Sequence, residues 1–331
     1  MNLIGRILIA SAVASAGLSA QGLAAPTAQQ KAVEQVDALN KAFGAHPGAR
    51  ALYAKGFLMQ GIFSPSPNAA SVTKAKNFSA PLQIVVRFSD FSGDPKIADT
   101  DPMASPHGMA IKFYLPNDTE ADIVASSYNG FPVATSDEFL AFINALAASG
   151  AGAGKPTALD KFEADHSAAA AFLQKQNPPP QSFATESYYG VNTFKFTNAQ
   201  GQVTYGRYQI RPVAGEHFLG KDEAAKADPD YLTKEIKARL GKGPIFFKLF
   251  LQVADKSDDI ANPSIAWPDT RKTIELGTIE IGKAMDDNAI AQREIVFLPT
   301  VTPDGIDPAD PMIEDRAHAY VESYSRRSQG Q

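Results

Sequence analysis

The most specific chemical signal in this chain lies near its carboxyl end, in the run Asp310-Pro311-Met312-Ile313-Glu314-Asp315-Arg316-Ala317-His318-Ala319-Tyr320. On a helix, Arg316 and Tyr320 sit four residues apart and share a face. A guanidinium beside a phenol favours the phenolate, because an opposite charge lowers the pKa of an acid. An unperturbed tyrosine titrates near about 10, so it ligates ferric iron poorly until something stabilises its anion. The pair therefore reads as an arginine-activated tyrosinate able to bind iron. It also reads as a surface arginine lying along a tyrosine one turn later, and spacing alone does not separate the two. Other chemistry is sparse. There is no G-x-S-x-G elbow, H-E-x-x-H pair, phosphate-binding loop or dinucleotide glycine pattern. The histidines His46, His107, His166, His217 and His318 are scattered with no helical pairing, which argues against a histidine metal site. With no cysteine, disulfides, thiolate ligands and thiol nucleophiles are excluded together.

Lysine and arginine number 31 against 36 acidic residues, so the net charge is 31 − 36 = −5, with no long basic run. That balance argues against a nucleic-acid partner. The first residues hold one basic group, Arg6, then an apolar stretch from Ile7 to Leu18, then small residues that include Gly22 and Ala24. This is the layout of a secretory leader, with cleavage expected after Ala24. The stretch is too short and too rich in Ser, Ala and Gly to serve as an anchor, so the expected mature protein is soluble and exported, in a bacterial periplasm.

The elements that must position Arg316 and Tyr320 follow from periodicity. Residues 27–43 carry apolar side chains at helical spacing, as do 136–148 and 157–176, and 311–325 forms a last helix. Strand-like alternation occurs at 57–63, 82–88, 108–114, 193–197, 203–212, 245–252, 273–281 and 294–297, with turn clusters between. The cluster Asn198-Ala199-Gln200-Gly201 reads as a hairpin, and the Gly/Ala-rich stretch 149–155 as a surface link between two helices. About eight strands with helices before, between and after them predict an α+β fold, an antiparallel eight-stranded barrel with helices packed outside it. Residues 25–331 are read as one domain.

Six segments, in order, resemble the haem catalase family, specifically its short exported catalase-related peroxidases. Arg50-Ala51-Leu52-Tyr53-Ala54-Lys55-Gly56 is similar to the family's R-x-x-H-A-K-G, and Val86-Arg87-Phe88-Ser89 to its R-F-S segment. His107-Gly108-Met109-Ala110-Ile111-Lys112-Phe113-Tyr114 resembles R-G-F-A-x-K-F-Y. Asp122-Ile123-Val124 with Asn129-Gly130-Phe131-Pro132 corresponds to the distal loop, Asn192-Thr193-Phe194-Lys195 to H-T-F-K, and the Arg316/Tyr320 helix to the axial-ligand helix. The resemblance implies a haem cofactor, haem b, with Tyr320 as the iron ligand and Arg316 keeping it anionic, since catalases hold their haem iron through a tyrosine. It further implies that Arg50, Arg87 and Arg327 pair with the propionates. Phe131 and Phe139 would wall the distal pocket, although plain core packing fits both equally.

The family's distal histidine, the base that moves the proton of bound peroxide, is replaced by Tyr53. Ser126 stands where the family's catalases have asparagine, with Asn129 a candidate replacement, and Ser89 matches the family serine that supports the distal group. The expected function is a haem peroxidase that uses organic or hydrogen peroxide and an external electron donor, with weak or no dismutation. The alternatives are a non-catalytic haem-binding or sensing protein of the same fold, or an enzyme that rearranges fatty-acid hydroperoxides. A monomer or homodimer is expected.

Overall fold

The computed structural model describes residues 26–330; the leader expected at 1–24 lies outside them. In chain order the helices are α1 (Ala28–Phe43), α2 (Ser136–Ala147), α3 (Ala158–Asp165), α4 (Ser167–Gln174), α5 (Lys221–Ala224), α6 (Tyr231–Leu240), α7 (Asn288–Glu294) and α8 (Met312–Ser328). The strands are β1 (Gly56–Pro65), β2 (Leu82–Ser89), β3 (Gly108–Leu115), β4 (Thr119–Ser126), β5 (Tyr188–Thr197), β6 (Val203–Pro212), β7 (Ile245–Val253), β8 (Thr273–Ala284) and β9 (Ile306–Pro308).

All pairings are antiparallel, in the order β4-β3-β2-β1-β8-β7-β6-β5, and β4 meets β5 at Ser126–Tyr189 to close an eight-stranded barrel. The ninth strand pairs with the far half of β5, at Phe194–Phe196. Strand alternation decides what fills the barrel. Val86 and Phe88 of β2 point inward with Phe63, Phe113, Tyr188, Phe196 and Phe247, all buried in one core. The intervening Arg87 and Ser89 point to the outer face, because successive side chains on a strand face opposite ways. There a second apolar cluster, including Leu39, Phe91, Phe142, Phe172 and Met312, lies under α1, α2, α4 and α8. A cavity forms between that helical layer and the barrel wall.

The eight-stranded barrel matches the sequence expectation, with local differences. Strand β4 is not among the expected strands. It follows Asn117 and Asp118, whose φ angles of 64° and 56° make a tight hairpin turn back from β3. The helix expected over 157–176 is two, because His166 leaves helical geometry at φ −129°, ψ 82°. The strand expected at 294–297 does not form: α7 ends at Glu294 and the chain runs on unpaired. Helix α6 is likewise absent from the sequence expectation.

Candidate active site

The cavity encloses about 1390 Å³ of atom-free space, including its open mouth. Its walls come from the outer faces of β2, β3 and β4, from the start of β5, and from α1, α2, α4 and α8. Ten of the eleven residues singled out in the sequence line it: Arg50, Tyr53, Arg87, Ser89, Ser126, Phe131, Phe139, Arg316, Tyr320 and Arg327. Asn129 does not. Between the two distal-loop candidates, Ser126 is the one on the cavity wall, its hydroxyl donating to the Tyr128 carbonyl at 3.2 Å.

Helix α8 runs from Met312 to Ser328 where the sequence predicts 311–325, and Asp310 accepts a hydrogen bond from the Met312 amide. It places Arg316 and Tyr320 on its cavity face, and Arg316 Nη2 donates to the Tyr320 hydroxyl at 2.7 Å. The other end of the guanidinium donates to Asn192 Oδ1, and Asn192 Nδ2 donates to Asp310 at 2.6 Å. The Arg316 guanidinium also lies 5.4 Å from the centre of the Phe131 ring. Burial works against the Arg316 charge, but Tyr320 by charge and hydrogen bond, together with Tyr53 and Asp310, outweighs it, so the pKa of Arg316 is raised. The arginine is therefore fixed as a cation against the Tyr320 hydroxyl.

Tyr53 enters the cavity from the loop before β1, with a left-handed backbone at φ 56°. Its amide donates to the Phe91 carbonyl, its ring meets Phe91 edge-on at 5.4 Å, and its carbonyl accepts from Arg87 at 2.8 Å. Gly108 is needed beneath it: a Cβ there would meet Ser89 Oγ at 2.8 Å and the Tyr53 ring at 3.0 Å. Burial, and then the Tyr320 phenol, push the Tyr53 pKa well above the usual phenol value. Tyr53 is thus a neutral hydrogen-bond donor at neutral pH and a poor base.

At another part of the wall Arg50, Arg87 and Arg327 converge. Burial lowers the pKa of all three; Arg327 adds to the lowering at Arg50 and Arg87, which brings Arg87 to about 9, and Arg327 itself lies at about 10. Among the described residues no carboxylate forms an ion pair with any of them, although surface arginines such as Arg271 and Arg326 have such partners. Asp90 acts on Arg87 only from a distance, and three like charges with no directly paired carboxylate fit a ligand bearing carboxylates, which planar guanidiniums hold by two-point hydrogen bonds.

Sequence reasoning missed Gln292. Its Oε1 accepts from Arg87 Nε at 2.7 Å and from Arg50 Nη1 at 3.5 Å. The sequence predicts no element there before a strand at 294, and nothing in the local pattern marks an amide that ties two distant arginines together.

Fold and site together define a class: a barrel with an external cavity that joins an arginine-paired tyrosine to a carboxylate-seeking cluster. A family model described as catalase matches residues 31–331. The chain belongs to the catalase family. It is 33% identical over 300 residues to the catalase-related peroxidase of Mycolicibacterium paratuberculosis, covering 89% of this chain and 94% of that one. Against the catalase-related peroxidase of Synechococcus elongatus it is 32% identical over 332 residues, covering 98% and 96%. A fungal catalase and catalase A from Saccharomyces cerevisiae superpose with a TM-score of 0.74 each, at 21% and 20% identity. Each superposition covers 86% of this chain, but 60% and 62% of those longer proteins, and shows the shared fold.

Proposed function

We propose that this protein is a haem-dependent peroxidase that reduces organic or hydrogen peroxides with electrons from an external donor and dismutates hydrogen peroxide weakly. The observation that carries the reading is the Arg316–Tyr320 bond at 2.7 Å in the same cavity as Arg50, Arg87 and Arg327. Those residues fit haem: Tyr320 would ligate its iron and the three arginines would take its propionates. Bound haem supplies the redox chemistry. Overall, one peroxide, two electrons and two protons give an alcohol (or water) and water.

This chain's own residues set the terms of that reaction. Arg316 orients the Tyr320 hydroxyl, the oxygen that would ligate the iron, by a hydrogen bond at 2.7 Å. Phe131 and Phe139, with ring centres 5.2 Å apart, give the cavity wall an apolar section. Tyr53 can donate a hydrogen bond from its hydroxyl to a peroxide oxygen and give a proton to a departing one. Its raised pKa prevents it from first taking the proton of the incoming peroxide, the help that general bases supply at about 10²–10⁴-fold. Dismutation, which depends on that step twice, suffers more than donor-driven reduction.

The periplasmic location rests on the leader pattern at 1–24, and a monomer or homodimer is our reading of the assembly. No helix among the described residues is long and apolar enough to cross a membrane. A second reading, a haem-binding protein inert to peroxide, is favoured by Tyr53 alone. Hemin titration tests both. The peroxidase reading expects a Soret shift that Tyr320→Phe abolishes, and donor-dependent turnover of cumene hydroperoxide. A six-coordinate spectrum inert to hydroperoxide supports the second reading, and no Soret shift at all refutes both.

A further inference from the structure

Helix α7 touches the three-arginine cluster without lining the cavity. Its last-turn carbonyls are among the groups a helix cannot satisfy internally. Here they are taken by guanidiniums: Gln292 O accepts from Arg50 Nη1 at 3.0 Å and Arg293 O from Arg327 Nε at 3.1 Å. Just past the helix, Ile295 O accepts from Arg50 Nη2 at 2.8 Å and from Arg327 Nη2 at 2.9 Å. The partial negative charge at a helix carboxyl end makes this a favourable place for cations. The side chain of Gln292 completes the platform through its oxygen, shared between Arg87 and Arg50, and its amide nitrogen donates to the Gly56 carbonyl. Asn288, one turn earlier, fixes the helix to the same strand through both the amide and the carbonyl of Leu58, at 3.1 and 2.7 Å.

Every partner on this platform is neutral. A glutamate at 292 could accept the same bonds from Arg50 and Arg87, but it could not donate to the Gly56 carbonyl and would cancel one of the three positive charges. An amide aims the guanidiniums and leaves their charge for a ligand. We infer that Gln292 is a positioning residue that, with the carboxyl end of α7, aims Arg50 and Arg87 for a ligand with two carboxylates while adding no negative charge to the cluster. The inference rests on the haem reading above and names the end of the cofactor that the cluster recognises. It also ties that end to the distal side, since Arg87 donates to the carbonyls of Tyr53 and Ala54 at 2.8 and 3.2 Å.

The test compares two probes on purified apoprotein: hemin, and hemin dimethyl ester, whose propionates carry no charge. Wild type should bind hemin more tightly than the ester. Gln292→Glu should weaken hemin at least about fivefold, the scale expected for one opposed charge near a partly buried site, and leave the ester unchanged or tighter. Gln292→Leu keeps the net charge but removes the aim; it should weaken hemin and leave the ester within about twofold. A purely structural role would move both probes together, and equal losses for hemin and ester, or none for either, overturn the inference. Leucine serves if the glutamate variant fails to fold. A wild type that does not distinguish the probes overturns the role of the arginines, whereas loss of the Tyr320-dependent Soret shift would refute the haem reading itself.

Discussion

Replacing Tyr53 by histidine is the sharpest perturbation of the proposed reaction. Burial raises the Tyr53 pKa above the ordinary phenol value, so at pH 7 its basic form is below about one part in a thousand. A histidine near its usual pKa of about 6.5 would be mostly neutral base at the same pH. The gain in peroxide deprotonation is then bounded by what positioned general bases contribute, about 10²–10⁴-fold. The backbone does not oppose the change. Tyr53 sits at φ 56°, a region in which histidine occurs more readily than most side chains. The loss is the edge-on contact with Phe91 at 5.4 Å, about 0.5–1.5 kcal/mol, so the variant should fold with a melting point a few degrees lower. Oxygen release from hydrogen peroxide by hemin-loaded protein is the assay. The variant should gain at least about a hundredfold, with the gain growing as pH rises through the histidine pKa. No gain, with the Soret band retained, would show that Tyr53 does not face the reacting oxygen and that weak dismutation has another cause.

Three further outcomes follow from the geometry. Gly56→Ala would put a Cβ against the Arg87 guanidinium and 2.6 Å from the Phe88 carbonyl, and should cost more than about 2 kcal/mol in urea unfolding; a neutral result would mean the strand can shift aside. Ser126→Ala should alter hydroperoxide turnover whereas Asn129→Ala should not, since only Ser126 lines the cavity; the reverse ranking in steady-state kinetics would contradict the placement of this loop. His107 is buried in the barrel mouth, where burial lowers its pKa but Glu186 at 2.9 Å, then Asp90 and Asp99, raise it to about 8. A folded pKa above the unfolded value of about 6.5 gives stability that is complete below that value and lost as pH rises through the folded pKa, about 2 kcal/mol in all. Asp90, raised by burial to about 7 and facing both His107 and Lys55, adds a loss of the same sign at lower pH, accumulated between its unfolded value of about 4 and about 7. The melting temperature should fall between about pH 6 and 9 and His107→Gln should flatten the fall; a wild-type profile that stays level would remove this cluster from the stability balance.

How much of the fold and site was legible in the sequence depended on whether the signal was local. Strand alternation is local, and the run it marks at 82–88 forms β2, whose Arg87 and Ser89 the structure turns out of the barrel, opposite Val86 and Phe88. The i, i+4 spacing of Arg316 and Tyr320 is local too, and the structure closes that pair at 2.7 Å. Order along the chain carried the resemblance that gathered Arg50, Arg87 and Arg327. Signals of other kinds were weaker. In β4, Asp122 interrupts the apolar pattern because it pairs with Lys112 of the neighbouring strand at 2.9 Å, a contact that exists only after the hairpin forms. The chain at 295–297 resembles a strand because its residues are apolar in a row, yet Val296 and Phe297 line the cavity and join no ladder.

Gln292 shows where such reading stops. Its partners Arg50, Arg87 and Gly56 lie more than two hundred residues away, and a glutamine on a short helix is by default a solvated side chain. Only the closed barrel brings β1 and β2 under α7 so that one amide meets two guanidiniums. The proposed ligation is therefore written locally, in one helix turn, whereas the charge balance proposed to select the ligand is written in the topology. A substitution at Tyr320 should accordingly abolish cofactor binding outright, while one at Gln292 should shift which form of the cofactor is preferred, and that difference in kind separates a ligand from the residue that positions its neighbours.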